Sequence, residues 1–431
     1  MEAFNQALHG ILWNPLVLVI MLAFGCYLVW KLHFFSLLFR NTFKMLSSLT
    51  LPDTKKQGLS NWQIIATNLG AVMGIGNLVG VATAIVSGGA GALFWMWISS
   101  LLVSTLKYGE ILLALRYRKK DSCNEYVGGP MYYIEQGIGS KMLGKVYAVL
   151  LLVSSFGIGN LVASNAMAHA LSQGVGFSPL FWGVVFMAIM TVVLCGGLKA
   201  VVSISEWLVP LMVLAYCASC FFIVVQEWDQ VLLMITRVVE EAVGIRAIAG
   251  GSIGACMKYG ISRGVFSHEA GMGSATLTHV KSTNQDLVSQ SMIGCLEVFM
   301  DTLVMCTLSG FVILLSEVPL TITSPVLLLS TVFQTYFSVF GRDFVLASIV
   351  LFGFASMMGW YYYGVSCLRY LTAAKGGMVL YTLLFLLSLA AGALFDGDTL
   401  WMLSDNLNGM VLWVNVLALF LLRKVIIRES K

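Results

Sequence analysis

Between Gly70 and Gly80 the chain reads Gly-Ala-Val-Met-Gly-Ile-Gly-Asn-Leu-Val-Gly, inside a run that is otherwise apolar. Glycine costs a helix about 1 kcal/mol relative to alanine, so this density predicts a helix that opens near Gly74. In a bilayer an opened helix leaves amides and carbonyls unpaired, and it survives only where they are buried in protein or line a cavity. Such a break can do chemistry without a reactive side chain. Amides at the start of the outer half-helix can hold a carboxylate, and carbonyls ending the inner half-helix can hold a cation. Asn77 adds a side-chain amide beside the break. The spacing Gly76-x-x-x-Gly80 also suits close helix packing. A dinucleotide site has no support, because Gly74-x-Gly76 lacks the third glycine and follows no strand.

A second glycine cluster, Gly250-Gly251-Ser252-Ile253-Gly254, lies five apolar runs later. Two interrupted helices in corresponding positions of two halves are the mark of inverted-repeat membrane carriers, in which the breaks meet near the midplane. Ionisable residues inside apolar runs need partners, at about 2.5 to 3.5 kcal/mol each on insertion scales. Lys107 and Glu110, three apart, can pair on one helix face. Glu297 and Asp301, four apart, would repel as carboxylates and require a cation, a proton or an arginine nearby; both are candidate coupling groups. The five histidines have no metal-ligand spacing, and no P-loop or serine elbow is present, so neither a metal site nor an enzyme is indicated. Cys217 and Cys220 form a C-x-x-C within one apolar helix, where thiols behave as small hydrophobes. The nine cysteines give no disulfide framework.

The elements that must position these groups follow from composition. Of 431 residues, 58% are apolar and 11% charged, against about 25% charged in an average soluble domain; mean hydropathy is +0.87. Runs long enough to cross a hydrocarbon core of about 30 Å occur near 14–36, 61–87, 90–115, 146–171, 180–197, 205–226, 243–264, 287–316, 343–371, 376–395 and 399–422. The expected fold is all-α and integral to the membrane, with about eleven spanning helices. One is N-terminal, and the rest form two five-helix inverted repeats with two discontinuous helices. The expected units are 1–60, an N-terminal helix with a basic cytoplasmic loop; 61–240, the first repeat; and 241–431, the second repeat with a basic tail. Leu16–Trp30 has no basic segment before it and reads as a retained helix rather than a leader.

Most basic residues fall in alternate connections, at Lys31–Lys56, Arg116–Lys145, Lys199, Lys258–Lys281, Arg369–Lys375 and Arg423–Lys431. Glu227, Asp229, Glu240, Glu241, Asp396 and Asp398 fall in the others. The positive-inside rule then predicts a cytoplasmic-membrane protein with its N-terminus outside and its C-terminus in the cytoplasm. Residues 120–145 read as a cytoplasmic loop, 266–286 as too polar to span, and 317–342 as an outer re-entrant or surface segment. A net charge of +4 with no basic stripe gives no support for a nucleic-acid partner, and none is expected.

Several motifs give the sequence a family likeness. They are Gly74-Ile75-Gly76-Asn77 with Gly80-Val81-Ala82-Thr83-Ala84-Ile85; Phe94-Trp95-Met96-Trp97; Glu125-Tyr126-Val127-Gly128-Gly129-Pro130-Met131-Tyr132-Tyr133; Arg263-Gly264-Val265-Phe266-Ser267-His268-Glu269-Ala270-Gly271-Met272-Gly273-Ser274; Phe299-Met300-Asp301-Thr302; and Gly359-Trp360-Tyr361-Tyr362-Tyr363-Gly364. With them the chain resembles the alanine or glycine:cation symporter family, of the leucine-transporter-type fold superfamily. The resemblance implies sodium-coupled uptake of alanine or glycine by alternating access. Its rivals are proton coupling or another small amino acid on the same fold, and a membrane sensor or channel. By similarity, the amides of Ile75 and Gly76, next to Gly74, receive the substrate carboxylate, with Asn77 beside them. Ala163, Gly251, Ser252, Ser356 and Trp360 complete the expected pocket. The carbonyls of Gly70 and Met73, with Ser356, form the expected sodium site, and no cofactor is implied beyond the transported ion. The chain departs from the family pattern at Val72 and Ile75 (threonines), Ala355 (a hydroxyl residue), Ala163 (glutamine), Glu297 (glycine) and His268 (asparagine, read here as a gate or loop residue). Loss of a hydroxyl at 355 weakens a cation site that wants about six oxygens, and Glu297 offers a carboxylate in its place.

Overall fold

The computed structural model describes residues 2–50, 59–122, 124–244, 252–284, 286–316, 318–320, 322, 324–372 and 374–431. The chain begins with α1 (Glu2–Leu12), α2 (Pro15–Leu32) and α3 (Phe34–Thr50). Asn14 caps α2 by accepting the Leu16 amide at 2.9 Å, ahead of a proline in the first turn. A capping box between Ser60 and Gln63 starts α4 (Asn61–Val72). Next come α5 (Gly76–Gly88), α6 (Gly91–Arg116) and a short antiparallel hairpin, β1 (Lys119–Lys120) with β2 (Tyr126–Val127). Then follow α7 (Pro130–Tyr133), α8 (Lys141–Gly174), α9 (Pro179–Cys195), α10 (Gly197–Gln226) and α11 (Trp228–Val243). The remaining helices are α12 (Ser252–His268), α13 (Thr276–His279), α14 (Leu287–Leu315), α15 (Pro325–Leu371), α16 (Lys375–Gly392), α17 (Gly397–Leu421) and α18 (Arg423–Glu429).

This is the all-α integral-membrane architecture expected from hydropathy. Among the described residues seven helices are long and apolar enough to cross a bilayer, and α4 with α5, bent by 49°, makes an eighth such unit. The surface that would meet lipid carries large apolar side chains such as Trp207, Leu211 and Leu214 of α10. The interior, by contrast, holds Lys107, Glu110, His279, Glu297 and Asp301, each at most 1% exposed. Polar groups therefore sit where other protein groups can satisfy them, as hydrocarbon requires.

Several connections differ from expectation. The basic segment before residue 50 is largely helical: α3 leaves Phe35, Phe39 and Phe43 exposed among Arg40 and Lys44, the pattern of a helix lying in an interface. Glu227, Glu240 and Glu241 flank and end α11, an amphipathic helix rather than a loop. Within 317–342 a helix begins at Pro325, and a left-handed residue, Ser338 (φ 55°), separates its first part from the spanning remainder. Lys258 and Arg263 lie inside α12, not in a connection.

One face of the molecule is tied together around the start of α4. Leu59 donates to the Lys281 carbonyl at 3.0 Å, and Arg118 donates to the carbonyls of Val280 and Ser282 at 3.3 and 3.0 Å. Lys281 bonds Glu125 at 2.8 Å and holds that carboxyl below the usual carboxylate range. At α17 the chain termini part. Its first half carries α1, through Trp13 Nε1 on the Asp405 carbonyl (3.1 Å) and Asn406 on the Asn5 carbonyl (3.0 Å). Its end leads into α18, whose Glu429 meets Arg116.

Candidate functional site

The expected break in the second apolar run is present. After Val72 the backbone leaves the helix at Met73 (ψ 64°), and the chain resumes with a π-helical turn at Gly76–Gly80. The first amides of a resumed helix have no intrahelical acceptor, so those of Ile75 and Gly76 point a positive dipole end at whatever adjoins them. Close approach explains two of the glycines. A Cβ at Gly74 would stand 2.9 Å from both Cβ and Oγ of Ser356 on α15, and one at Gly76 would stand 3.3 Å from Phe266 and the Ser267 Cα on α12. Ser356 Oγ donates to the Ala71 carbonyl at 3.1 Å, fixing α15 to the end of α4. Gly74→Ala is therefore expected to destabilise by about 1–3 kcal/mol through overpacking, read as a lower thermal unfolding midpoint in detergent. Adding Ser356→Gly is expected to restore most of it; an equal loss in both variants would show that the contact is not the cause.

Of the second expected break, Gly250 and Gly251 lie outside the described residues, Ser252 begins α12 and Gly254 sits in its first turn. Within the described chain the helix opens after His268, in a turn built on positive φ at Glu269 (52°), Gly271 (90°) and Gly273 (85°) before α13 resumes. Here glycine supplies the left-handed conformation at 271 and 273. The turn is buried and its carbonyls are claimed: His268 by Lys107 Nζ (3.3 Å), Gly271 by Asn415 (2.8 Å) and Met272 by Tyr147 (2.6 Å). His268, expected at a gate or loop, is a buried helix end whose Nδ1 accepts the Ala270 amide at 3.0 Å. Lys107 thus serves a carbonyl rather than Glu110, whose Oε2 accepts from Asn415 at 3.1 Å.

Between the two breaks lies a buried cluster of oxygens. Asn77 Nδ2 donates to Asp301 Oδ1 at 2.6 Å and to the Asp301 carbonyl at 3.2 Å. Ser267 Oγ donates to the same carboxylate at 2.9 Å, and Thr302 Oγ1 does so at 2.8 Å. Among the described residues Asn77 Oδ1 is buried without a partner. The four residues come from α5, α12 and α14, and none is more than 1% exposed. Glu297 does not join them, although four residues of α-helix would put it on the Asp301 face. The π-helical stretch Phe299–Cys306 begins between the two and rotates them into separate networks.

Beside the cluster is a small cavity lined by Ala71, Val72, Gly74, Ile75, Gly76, Ile158, Val162, Ala163, Phe266 and Ser356. The structure so brings together Gly74, Ile75, Gly76, Ala163 and Ser356 of the expected pocket, with Asn77 adjoining. Gly70 lies 3.5 Å, measured from an added Cβ, from Ala355. Met73 is buried at the break. Trp360 is not on the cavity wall; its ring lies against Gly159, where a Cβ would overlap it, and stacks edge-on with Tyr363. Sequence reasoning missed Ile158, Val162, Phe266 and Ser267. A signal existed for the first two: the hexapeptide Gly-Ile-Gly-Asn-Leu-Val occurs at 74–79 and again at 157–162, both copies include π-helical turns, and both face this cavity.

Phe266 closes the cavity toward α17. Its ring lies 4.8 Å from that of Trp401, and the Arg263 guanidinium stands 5.0 Å from the Trp401 ring while ion-pairing with Asp405. His9 of α1 approaches the same carboxylate at 3.7 Å. This layer joins α12 to α17 over the site.

The family model described as the sodium:alanine symporter family matches residues 1–431. An uncharacterized transporter of Haemophilus influenzae is 33% identical over 441 residues, covering 100% of this chain and 95% of that protein. The sodium/alanine symporter AgcS of Methanococcus maripaludis is 32% identical over 435 residues, covering 99% of this chain and 96% of that protein. Among solved structures, MhsT in complex with L-phenylalanine superposes with a TM-score of 0.59 at 15% identity, covering 87% of this chain and 99% of that one, a likeness of fold.

Proposed function

The chain belongs to the sodium:alanine symporter family and is a cation-coupled amino-acid transporter, and from that premise we propose that it carries alanine or glycine with sodium. The observation that carries this reading is the cluster of Asn77, Ser267, Asp301 and Thr302. It brings the hydroxyls of Ser267 and Thr302 and the side-chain amide of Asn77 onto one buried carboxylate, beside the freed amides of a helix break. A hard cation wants such an oxygen set, and a carboxylate held on the Ile75 and Gly76 amides would add to it. Ion and amino acid would then each stabilise the other's place. Small cargo suits the cavity, whose walls offer apolar contacts from Ile158, Val162 and Phe266 and little room for a long side chain. A second proposed sodium position is the set of Gly70, Met73 and Ser356; there Ser356 Oγ donates to the Ala71 carbonyl, and Ala355 contributes no side-chain oxygen.

The repeat reading follows the same elements. The bent α4–α5, α6, α8, α9 and α10 form the first five crossings of 61–240; the discontinuous α12–α13, α14, α15, α16 and α17 form those of 241–431; and α2 precedes both. The face holding the start of α4, the hairpin and α18 is assigned to the cytoplasm by its lysines and arginines. Alternating access then means rocking of the half-helices about the cavity.

Purified protein in liposomes is expected to take up labelled alanine only under an inward sodium gradient. Asn77→Ala is expected to lower that uptake at least about 100-fold, since it removes a ligand and takes one of three side-chain donors from a buried carboxylate. Uptake indifferent to sodium would overturn the assignment.

A further inference from the structure

Between Glu2 and Asp53 the chain has no acidic residue, and its lysines and arginines there, Lys31, Arg40 and Lys44, all fall at the end of α2 or in α3. α3 has three faces rather than two. Phe34, Leu37, Asn41 and Met45 are buried against the protein, with the Phe34 ring edge-on to Tyr108 of α6. Phe35, Phe39 and Phe43, one turn apart in a single row, are 53%, 82% and 82% exposed. Arg40 and Lys44, also one turn apart, are exposed in a second row. Each follows a phenylalanine directly, so at about 100° per residue the basic row runs alongside the aromatic one, turned away from the protein.

Water gives no reason for a row of bare phenyl rings, and hydrocarbon tolerates no unpaired guanidinium beside an ammonium. The boundary between them accommodates both rows at once. α2 sets that depth: its 18 residues measure about 27 Å, close to a full hydrocarbon crossing. At its end Trp30 is 65% exposed with Lys31 Nζ 4.0 Å over its ring, a pairing suited to the headgroup level. His33, left-handed at φ 46°, ends α2 there and α3 follows at once.

We propose that α3 is a binding surface for anionic phospholipid, with Arg40 and Lys44 on headgroup phosphates and Phe35, Phe39 and Phe43 among the upper acyl chains. Charge selects the lipid. A zwitterionic headgroup brings its own ammonium to the basic row, whereas an anionic one brings only the phosphate. Acids on the neighbouring elements are already engaged: Asp286 accepts the Val288 and Ser289 amides at the start of α14, and Glu429 of α18 meets Arg116 and Arg428. α18 extends the field, since its Ser430 bonds Tyr108 at 2.9 Å, beside Phe34, and its Lys424 and Arg428 are exposed. In the orientation proposed above this is the cytoplasmic leaflet, where anionic lipids gather. The surface is separate from the cavity and the ion cluster and needs neither substrate nor sodium.

The thermal unfolding midpoint of the purified protein in detergent, titrated with short-chain phosphatidylglycerol, with phosphatidylcholine of the same chains or with inorganic phosphate, tests this. Phosphatidylglycerol is expected to reach half its stabilising effect at a concentration about tenfold lower than phosphatidylcholine, as two basic side chains near a charged surface allow. Inorganic phosphate is expected to stabilise little. Arg40→Gln/Lys44→Gln is expected to bring phosphatidylglycerol to the phosphatidylcholine level, while Lys119→Gln/Lys120→Gln, exposed on the hairpin, keeps the difference. Phe39→Ser/Phe43→Ser is expected to weaken both lipids alike. These side chains are exposed, so the lipid-free midpoints are expected to match the wild type. Equal action of the two lipids, an equal loss in the hairpin variant, or phosphate as effective as phosphatidylglycerol would overturn the proposal. So would a wild-type dimer, seen by light scattering, that Phe39→Ser/Phe43→Ser splits into monomers, because a second copy would then cover the aromatic row. A failure of alanine transport would leave this comparison intact and would count against the cargo alone.

Discussion

Replacing Asp301 by asparagine is expected to raise the sodium concentration for half-maximal alanine uptake by about 100-fold, corresponding to roughly 3 kcal/mol. The substitution keeps shape but turns an acceptor-only group into one that also donates. Asn77 Nδ2, Ser267 Oγ and Thr302 Oγ1 all aim hydrogens at that carboxylate, so an amide nitrogen there leaves donors facing a donor. It also removes the only full negative charge in the cluster, and a buried cation without it has only dipoles to replace its water. Maximal uptake at saturating sodium is expected to fall less than the sodium affinity does. An unchanged sodium requirement would move the coupling ion to the Gly70, Met73 and Ser356 position.

Arg263→Ala is expected to be the most destabilising single change on the α12–α17 face, at about 3–5 kcal/mol, because Asp405 would remain buried without its ion pair. The loss also removes the cation that lies beside the packed Phe266 and Trp401 rings. Its thermal unfolding midpoint in detergent is therefore expected to drop clearly. The double variant Arg263→Ala/Asp405→Ala is expected to recover part of the drop, since no lone charge stays inside. A single variant as stable as the wild type would show that water or His9 already serves Asp405, and that the pair does not secure the layer over the cavity.

The first break could be read from sequence because its cause is local: glycines at 70, 74 and 76 serve a backbone that leaves the helix and presses against Ser356 and Phe266. The glycine signal at 250 and 251 lies outside the described residues, whereas the turn after His268, which uses Glu269 with Gly271 and Gly273, was not read from the sequence. Hydropathy read 266–286 as too polar to span. In the fold those polar groups are buried, satisfied by Lys107, Tyr147 and Asn415 from elements distant in sequence. Glu297 and Asp301 looked like one carboxylate pair at α-helical spacing, and only the π-helical turns of α14 send them to different sites. The packing of Trp360 was not legible either: its motif was visible, but that its ring lies against Gly159 and Tyr363 is seen only in three dimensions.

Equilibrium binding of labelled alanine to the purified protein, with sodium replaced stepwise by choline at constant ionic strength, probes the pairing of ion and amino acid at the break. Sodium is expected to tighten alanine binding at least about tenfold, and alanine to tighten sodium binding by the same factor. Alanine affinity that stays the same in sodium and in choline would contradict a shared site at Asn77 and Asp301.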